Sequence, residues 1–131
     1  MTWEDFTRKL SSGVNEPSDA RNLSGLERQH LPAVSAPRRV TSGEPFDVSV
    51  RVGCPECHPN EEDHHVRSVE LCADDQKLFR AQFAPGGSLP RFTCRIRLHQ
   101  PVVSLRVYAH CSRHGTWLGR QSISVVPKNS V

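Results

Sequence analysis

Apolar and polar residues alternate along much of the chain from residue 33 onward. In the segment 46–52, Phe46, Val48 and Val50 are separated by single polar residues. A period of two is typical of a β-strand with one buried and one solvent-facing side. The segments 92–98 and 103–109 show the same alternation. Weaker versions of the pattern predict four further strands, at 33–36, 66–72, 78–83 and 121–126.

Turn-forming residues separate these segments. Ser42-Gly43-Glu44-Pro45, Ala84-Pro85-Gly86-Gly87 and Gln100-Pro101 supply the backbone conformations that tight turns need. About seven short antiparallel strands at such spacing predict an all-β fold, an immunoglobulin-like β-sandwich, with a small barrel as the alternative.

The N-terminal part of the chain has a different character. Trp3, Phe6 and Leu10 recur at helical spacing, so residues 2–10 are predicted to form a short helix with Thr2 as its N-cap. Residues 11–26 are rich in turn-forming residues and are predicted to form a loop. The 131 residues suit one main domain. We therefore expect an extension at 1–26 and a β-sandwich domain at 27–131.

Composition limits the functional classes. Hydrophobic residues make up 36% of the chain, and no apolar run approaches the roughly 20 residues of a membrane-spanning helix. The first ten residues include four charged side chains, which is unlike the apolar core of a secretory signal. The five cysteines are an odd number, which favours reduced thiols or metal ligands over a disulfide framework. These features predict a cytoplasmic protein.

Charge is unevenly distributed, although the net charge is only +3. All 14 acidic residues and eight basic residues precede Gln76, whereas the remainder of the chain has nine basic residues and no acidic one. A basic half can attract nucleic acid, can draw a small anion toward a site, or can be a solvated face. The charge pattern alone leaves these three interpretations open.

Histidines provide the strongest chemical signal, because most of the seven fall outside the alternating segments. His58, His64 and His65 lie in the stretch 54–65, which has no strand pattern. Cys111 and His114 follow a predicted strand, and their spacing allows both to face one metal ion. His30 precedes Leu31-Pro32. A loop-based metal site is therefore predicted.

Two metal sites are compatible with these spacings. A structural zinc site would be closed and inert, and would use Cys54, Cys57, Cys111 and His114. A site dominated by imidazole suits redox iron, since neutral histidines bind iron without adding charge and a thiolate donates electron density. Its ligands would be His30, His58, His64, His114 and Cys111. Spacing leaves both sites open.

Three segments resemble one protein family. Residues 58–71, HPNEEDHHVRSVEL, resemble the HPN-x-x-x-HH-[IV]-R-x-[IV]-E-L segment of superoxide reductases, the family of neelaredoxin and desulfoferrodoxin. Residues 108–117, YAHCSRHGTW, resemble the family's Y-C-N-x-H-G-x-W segment with a one-residue shift, and residues 29–32, QHLP, resemble its K-H-V-P. The resemblance covers roughly residues 24 to 126 in the same order, which makes it far more specific than one motif.

The resemblance implies an enzyme, a superoxide reductase with an immunoglobulin-like β-sandwich fold. It implies one iron per chain, with His30, His58, His64 and His114 as nitrogen ligands and Cys111 as the thiolate ligand. Such an enzyme reduces superoxide by one electron to hydrogen peroxide and is reduced again by an electron donor such as a rubredoxin-like protein. It also implies a homo-oligomer with neither nucleic acid nor a membrane as partner. The competing hypothesis is a non-catalytic binding module with the zinc site.

The sequence departs from the family pattern just before the first histidine. The family's Glu-Lys pair is replaced here by Arg28-Gln29, with Glu27 one place earlier. Arg28 and Glu27 are therefore the candidate catalytic residues outside the metal ligands, with Arg28 supplying positive charge in place of the usual lysine. The chain has no four-cysteine centre near its N-terminus, which resembles the one-iron class.

We predict structural roles for most of the other histidines and cysteines and for Trp117. His65, His99 and His110 are not expected to bind the metal, and Trp117 is expected to pack over the site. Cys94 alternates with apolar residues and is predicted to lie in the core, whereas Cys72 is ambiguous at a strand end.

Overall fold

The computed structural model describes residues 13–17, 19, 21–53 and 58–128. Within these residues the chain forms ten strands and one short helix. The helix predicted at residues 2–10 lies outside the described residues. In chain order the elements are β1 Val14–Asn15, α1 Gly25–His30, β2 Pro32–Ser35, β3 Arg39–Thr41, β4 Phe46–Val52, β5 Val66–Ala73, β6 Gln76–Gln82, β7 Arg91–Ile96, β8 Ser104–Cys111, β9 Gly115–Ser122 and β10 Ser124–Val126.

The strands form a β-sandwich, which confirms the predicted fold class. One sheet has five strands in the order β1-β9-β8-β5-β6, and the facing sheet has three in the order β2-β4-β7. A separate pair joins β3 and β10. The sequence pattern missed β1, β3 and most of β9. It also missed two parallel pairings, β1 with β9 and β10 with β3, because short strands at the sandwich edges carry little alternation.

The core lies between the two sheets and follows the alternation seen in the sequence. Every second residue of β4 is buried, beginning with Phe46. Strands β5 and β8 are central in the larger sheet, and β5 is buried on both faces. The residues with the least exposed side chains in this core are Val48, Val50, Val52, Val66, Val69, Leu71, Leu105 and Val107.

Strand β9 holds β2 close at one edge of the sandwich. A Cβ atom added to Gly119 would lie 2.1 Å from the backbone oxygen of Pro32, so only glycine fits at this crossing. Two residues along the same face, the Gln121 side chain accepts a hydrogen bond from the Ala36 N–H at 3.1 Å and donates one to the Ala36 carbonyl at 3.0 Å. These contacts hold β2 at both ends, and its first residue, Pro32, is two residues after His30.

Helix α1 begins at Gly25, within the segment 11–26 that the sequence pattern predicted to be a loop. Ser24 is its N-cap, because its hydroxyl accepts a hydrogen bond from the Glu27 N–H at 3.1 Å. The Glu27 carboxylate in turn accepts one from the Ser24 N–H at 2.8 Å, which completes a capping box. The helix ends at His30, and Leu31 is already extended. The division at residues 26 and 27 stays a prediction.

Candidate metal centre

The five predicted metal ligands come from separate parts of the chain and meet at one end of the sandwich. His30 is the last residue of α1, and Cys111 is the last residue of β8. His58 and His64 lie in the loop between β4 and β5, and His114 lies in the turn between β8 and β9. The structure thus brings together residues that the sequence separates by up to 84 positions, from His30 to His114.

The four imidazole rings form a closed circuit. Neighbouring ring centroids are separated by 4.7 Å for His30 and His58, and by 4.6 Å for His58 and His64. The circuit closes through His114, whose centroid is 5.0 Å from His64 and 4.8 Å from His30. Across the circuit, His30 and His64 are 6.0 Å apart. The planes of neighbouring rings are inclined to one another by 68° to 78°.

The Cys111 thiol belongs to the same group. Its Sγ lies 3.4 Å from Nε2 of His58 and 3.9 Å from Nδ1 of His114. One potential ligand atom from each of Cys111, His30, His58 and His64 lies within 4.8 Å of the others, whereas His114 lies beside this group of four and is not part of it. That spread is close to the distance between opposite ligands of an ion with bonds of about 2.1 to 2.3 Å. The group can therefore surround a metal ion.

Hydrogen bonds to backbone carbonyls orient two of the rings. Nδ1 of His30 is 2.8 Å from the Leu26 carbonyl oxygen, and Nδ1 of His58 is 2.6 Å from that of Pro59. A carbonyl only accepts, so each Nδ1 carries the proton and each Nε2 keeps a lone pair. Nε2 of His30 and Nε2 of His64 are buried without a hydrogen-bond partner. Such buried nitrogens are costly unless a ligand occupies them.

Burial keeps these imidazoles neutral. Together with a smaller contribution from the charges of the neighbouring histidines, it lowers the pKa of His58 from 6.5 to about 4, against the opposing effect of the hydrogen bond to the Pro59 carbonyl. Burial also lowers the pKa of His30 and of His64, again with a smaller contribution from adjacent imidazoles. A metal ligand must be deprotonated at the binding nitrogen. The lowered pKa values therefore favour metal binding at neutral pH.

Backbone hydrogen bonds hold the histidine loop against the β8–β9 turn. The Ser112 N–H donates to the His65 carbonyl at 2.8 Å, and the His65 N–H donates to the Ser112 hydroxyl at 3.0 Å. These two residues directly follow His64 and Cys111, so the reciprocal pair fixes the separation of two candidate ligands. Sequence reasoning missed Ser112, because a serine in a turn gives no signal of its distant partner.

The β8–β9 turn is tight, and its geometry brings His114 and Trp117 together. Gly115 has a φ of +80°, a conformation that favours glycine, and pairs with Cys111 across the hairpin. Trp117 is 5% exposed and stacks on His30 with ring centroids 4.9 Å apart. Its indole N–H donates to the His114 carbonyl at 3.0 Å. The expected packing of Trp117 over the site is confirmed.

The remaining predicted residues are placed as follows. Arg28 is exposed on the last turn of α1, two residues before His30, and the Glu27 carboxylate serves the capping box described above. The Ser24-x-x-Glu27 spacing is itself a capping signal that could have predicted this helix. Cys54 and Cys57, the other ligands of the zinc hypothesis, lie outside the described residues. Whether Arg28 and Glu27 act in catalysis stays a prediction.

Comparison with known proteins identifies the family. The model of the desulfoferrodoxin family matches residues 22–120, which include all five candidate ligands. The chain belongs to the superoxide reductase family. A superoxide reductase (neelaredoxin) from Ignicoccus hospitalis is 30% identical in sequence, with a TM-score of 0.74 over 86% of this chain and 95% of that one. Members of this family are oxidoreductases.

Curated superoxide reductase relatives agree with this match. A putative superoxide reductase from Methanocaldococcus jannaschii is 27% identical over 109 residues, which cover 80% of this chain and 88% of the relative. One from Thermotoga maritima is 26% identical over 117 residues, which cover 76% of this chain and 88% of that protein. Among the described residues there is no helix long and apolar enough to cross a membrane.

The other histidines and cysteines of this superoxide reductase family member have structural surroundings. Nδ1 of His65 contacts the Glu61 carbonyl at 3.1 Å, and Nδ1 of His110 contacts the Thr116 hydroxyl at 2.9 Å. Cys94 lies in the main core, as predicted. Cys72 is buried in a second cluster on the outer face of the larger sheet, with Tyr108 and Leu118. Burial raises the pKa of the Cys72 thiol to about 12.

Proposed function

We propose that the protein is a one-iron superoxide reductase that reduces superoxide to hydrogen peroxide. The ligands of the iron would be His30, His58, His64, His114 and Cys111. The single observation that carries this proposal is the closed circuit of four imidazoles with a thiol against it, in a chain of this family.

The donor set fits iron. Imidazole nitrogens suit iron in either of its common oxidation states, and a thiolate ligand increases its electron density. Two of the imidazoles carry buried Nε2 atoms without hydrogen-bond partners, as expected of ligands. When bound, iron supplies the single electron that superoxide needs. Superoxide accepts this electron and two protons, and the product is hydrogen peroxide.

The residues of the centre have different roles. The two carbonyl contacts at Nδ1 of His30 and His58 orient their rings, which pre-organises the nitrogen ligands. The Cys111 thiolate supplies negative charge and electron density from one side. Burial of His58 and Cys111, which are 1% and 8% exposed, limits the access of water to these donors.

Substrate capture depends on charge, because superoxide is an anion. Arg28 is exposed in the last turn of α1, two residues before His30, and adds a positive charge to this part of the chain. The acid-free second half of the sequence contributes a further positive field. We propose that Arg28 steers superoxide in place of the family's usual lysine, and that Glu27 supports it by capping the helix.

The remaining partners follow from this activity. The iron must be reduced after each turnover, so a separate electron donor is required, and a small rubredoxin-like protein is our candidate. We further propose a cytoplasmic homo-oligomer that acts in the response to oxidative stress. Neither nucleic acid nor a membrane takes part in this scheme.

Metal analysis and a visible spectrum test the proposal against the zinc hypothesis. We expect about one iron per chain, a colour that bleaches on reduction, and second-order consumption of superoxide in pulse radiolysis. The Cys111→Ser variant should lose the colour and the turnover, because a serine oxygen is a poorer electron donor. The control is the double variant Cys54→Ser with Cys57→Ser, which should keep both. The zinc site would be established instead if the wild type contained colourless zinc and the double variant lost its metal.

A further inference from the structure

Trp117 contacts two of the candidate ligands at once. Its indole ring stacks on the His30 ring with an interplanar angle of 22° and a centroid separation of 4.9 Å. Its N–H donates to the backbone carbonyl of His114 at 3.0 Å. The indole therefore joins the first and last ligands in the sequence.

The His30 ring needs this second contact. The hydrogen bond from Nδ1 to the Leu26 carbonyl fixes one edge of the ring, but rotation about that direction would swing Nε2 away from the centre. The stacked indole covers one face of the ring and fixes its plane. Nε2 then points into a buried space where it has no hydrogen-bond partner.

The His114 turn gains a similar constraint. His114 is separated from Cys111 by Ser112 and Arg113, in the turn that links β8 to β9. The carbonyl of His114 is held by the indole N–H, while the Ser112 backbone is held by His65. The two contacts fix both sides of the turn and keep Nδ1 of His114 within 3.9 Å of the Cys111 Sγ.

Strand β9 gives Trp117 a rigid base. The Trp117 backbone pairs with Ala109 on β8 and with Asn15 on β1, so neighbouring strands flank it on both sides. Gly119 and Gln121 follow on the same face and hold β2 through Pro32 and Ala36. Strand β9 therefore positions both residues. It carries Trp117 itself, and it contacts β2, which follows His30 in the chain.

We propose that Trp117 is a positioning residue that sets the relative orientation of His30 and His114, so that both nitrogen atoms converge on one metal ion. The proposal rests on the ligand set of the proposed function. Tryptophan suits both tasks, because phenylalanine retains a stacking face and lacks the N–H, whereas leucine lacks both. Outer contacts of this kind change metal affinity by about 10- to 100-fold.

Cobalt binding to the metal-free full-length chain tests this role without relying on enzyme activity. Co²⁺ would be titrated into the wild type, Trp117→Phe and Trp117→Leu, and the dissociation constant and visible spectrum would be recorded. We expect Trp117→Leu to weaken Co²⁺ binding by about 10- to 100-fold and to shift the absorption bands. Trp117→Phe should lie between this variant and the wild type.

Phe46→Leu is the matched control for a purely structural effect. Phe46 is an aromatic residue of the main core, 8% exposed, at the start of β4. Its replacement should lower the melting temperature while leaving the Co²⁺ affinity and spectrum unchanged. Wild-type affinity and bands in Trp117→Leu, or an equal change in Phe46→Leu, would overturn the proposal.

The failure of this proposal can be told apart from failure of the proposed function. If the wild-type iron form did not consume superoxide, the reductase assignment would be wrong, yet the Co²⁺ comparison would still decide the role of Trp117. If all variants consumed superoxide and bound Co²⁺ as the wild type does, the reductase assignment would stand and the positioning role would be wrong.

Discussion

At the scale of single residues, hydrogen bonds outside the metal centre hold candidate ligands in place. The Leu26 carbonyl orients the His30 ring, and the Ser112 hydroxyl holds the His65 backbone beside His64. His58, His64 and Cys111 were accessible from motif spacing, because each belongs to a short run whose order is itself a signal. The hydroxyl of Ser112 was not, because a hydrogen bond between residues 47 positions apart leaves no trace in the local pattern. Recognition of ligands is therefore easier than recognition of their supports.

The order of the two adjacent histidines gives a prediction about ligand identity. His64 has a buried Nε2 without a hydrogen-bond partner, whereas Nδ1 of His65 contacts the Glu61 carbonyl. His64→Ala should weaken iron binding by more than the roughly 10- to 100-fold loss that is usual for an outer contact. His65→Ala should change it only slightly. Iron content after dialysis against a chelator measures both, and a reversed order would shift the assigned ligand by one residue.

The Cys72 thiol gives a prediction about alkaline pH. Burial, followed by the charge of Glu70, raises its pKa from 9.0 to about 12. A raised pKa in the folded protein means that the unfolded chain loses its proton first. The associated stability is therefore complete below pH 9 and is lost as the pH rises toward 12.

Urea unfolding of the metal-free protein at pH 8 and at pH 11 measures this effect. The wild type should lose more unfolding free energy over this range than Cys72→Ala, which cannot ionise there. In the folded wild type at pH 8, the Cys72 thiol should also resist alkylation. An equal loss of stability in both proteins would show that Cys72 ionises as readily in the folded chain as in the unfolded one.

At the scale of elements, the alternation along β4 predicted its bounds correctly, whereas short strands at the edges of the sandwich were not predicted. Strands β1 and β3 are two and three residues long, too short to establish a period. Helix α1 has six residues, so its capping pair is a better signal than its periodicity. Short strands form because neighbouring strands pair with them, and a single sequence does not show which strands are neighbours.

The capping box gives a prediction about α1. Ser24→Ala removes the hydroxyl that accepts the Glu27 N–H and should cost about 1 kcal/mol of unfolding free energy. Glu27→Gln should cost less, since an amide oxygen can still accept from the Ser24 N–H. Chemical denaturation of both variants provides the comparison. If Glu27→Gln were the more damaging change, a role for the Glu27 charge would outweigh its role as a cap.

The close crossing of β9 and β2 gives a second prediction at this scale. Gly119→Ala places a methyl group 2.1 Å from the Pro32 carbonyl oxygen, so one strand must move. Overpacking of this kind costs roughly 1 to 3 kcal/mol, and the melting temperature should fall. Gly13→Ala is the control, because a Cβ there meets nothing within 4 Å. Equal melting temperatures for the two variants would show that β2 moves away without cost.

At the scale of the whole molecule, the fold and the distribution of charge have separate roles. The sandwich positions the centre through contacts between distant strands, whereas we propose that the basic second half of the sequence acts through a long-range field. The sequence predicted the fold class because alternation and turn spacing persist from residue 33 onward. It could not predict the pairing order, because that depends on which edges meet in space.

Electrostatic steering gives a prediction at this scale. Arg28→Ala should slow the second-order reaction with superoxide roughly a few-fold at low salt, and Gln29→Lys should accelerate it. Both differences should shrink as salt is added, because ions screen exposed charges beyond about 10 Å at 0.1 M. The iron spectrum should not change. Pulse radiolysis across a salt series measures the rates, and identical rate constants in all three proteins would assign capture to the background field or to diffusion.

The distribution of the candidate ligands along the chain has a consequence for biosynthesis. His30 and His58 are translated early, whereas Cys111, His114 and Trp117 emerge from the ribosome some 50 or more residues after His58. A nascent chain that ends before Cys111 has at most three of the five proposed donors and lacks the thiol. Under the proposed ligand set, the complete set of donors therefore forms only after this hairpin has been translated.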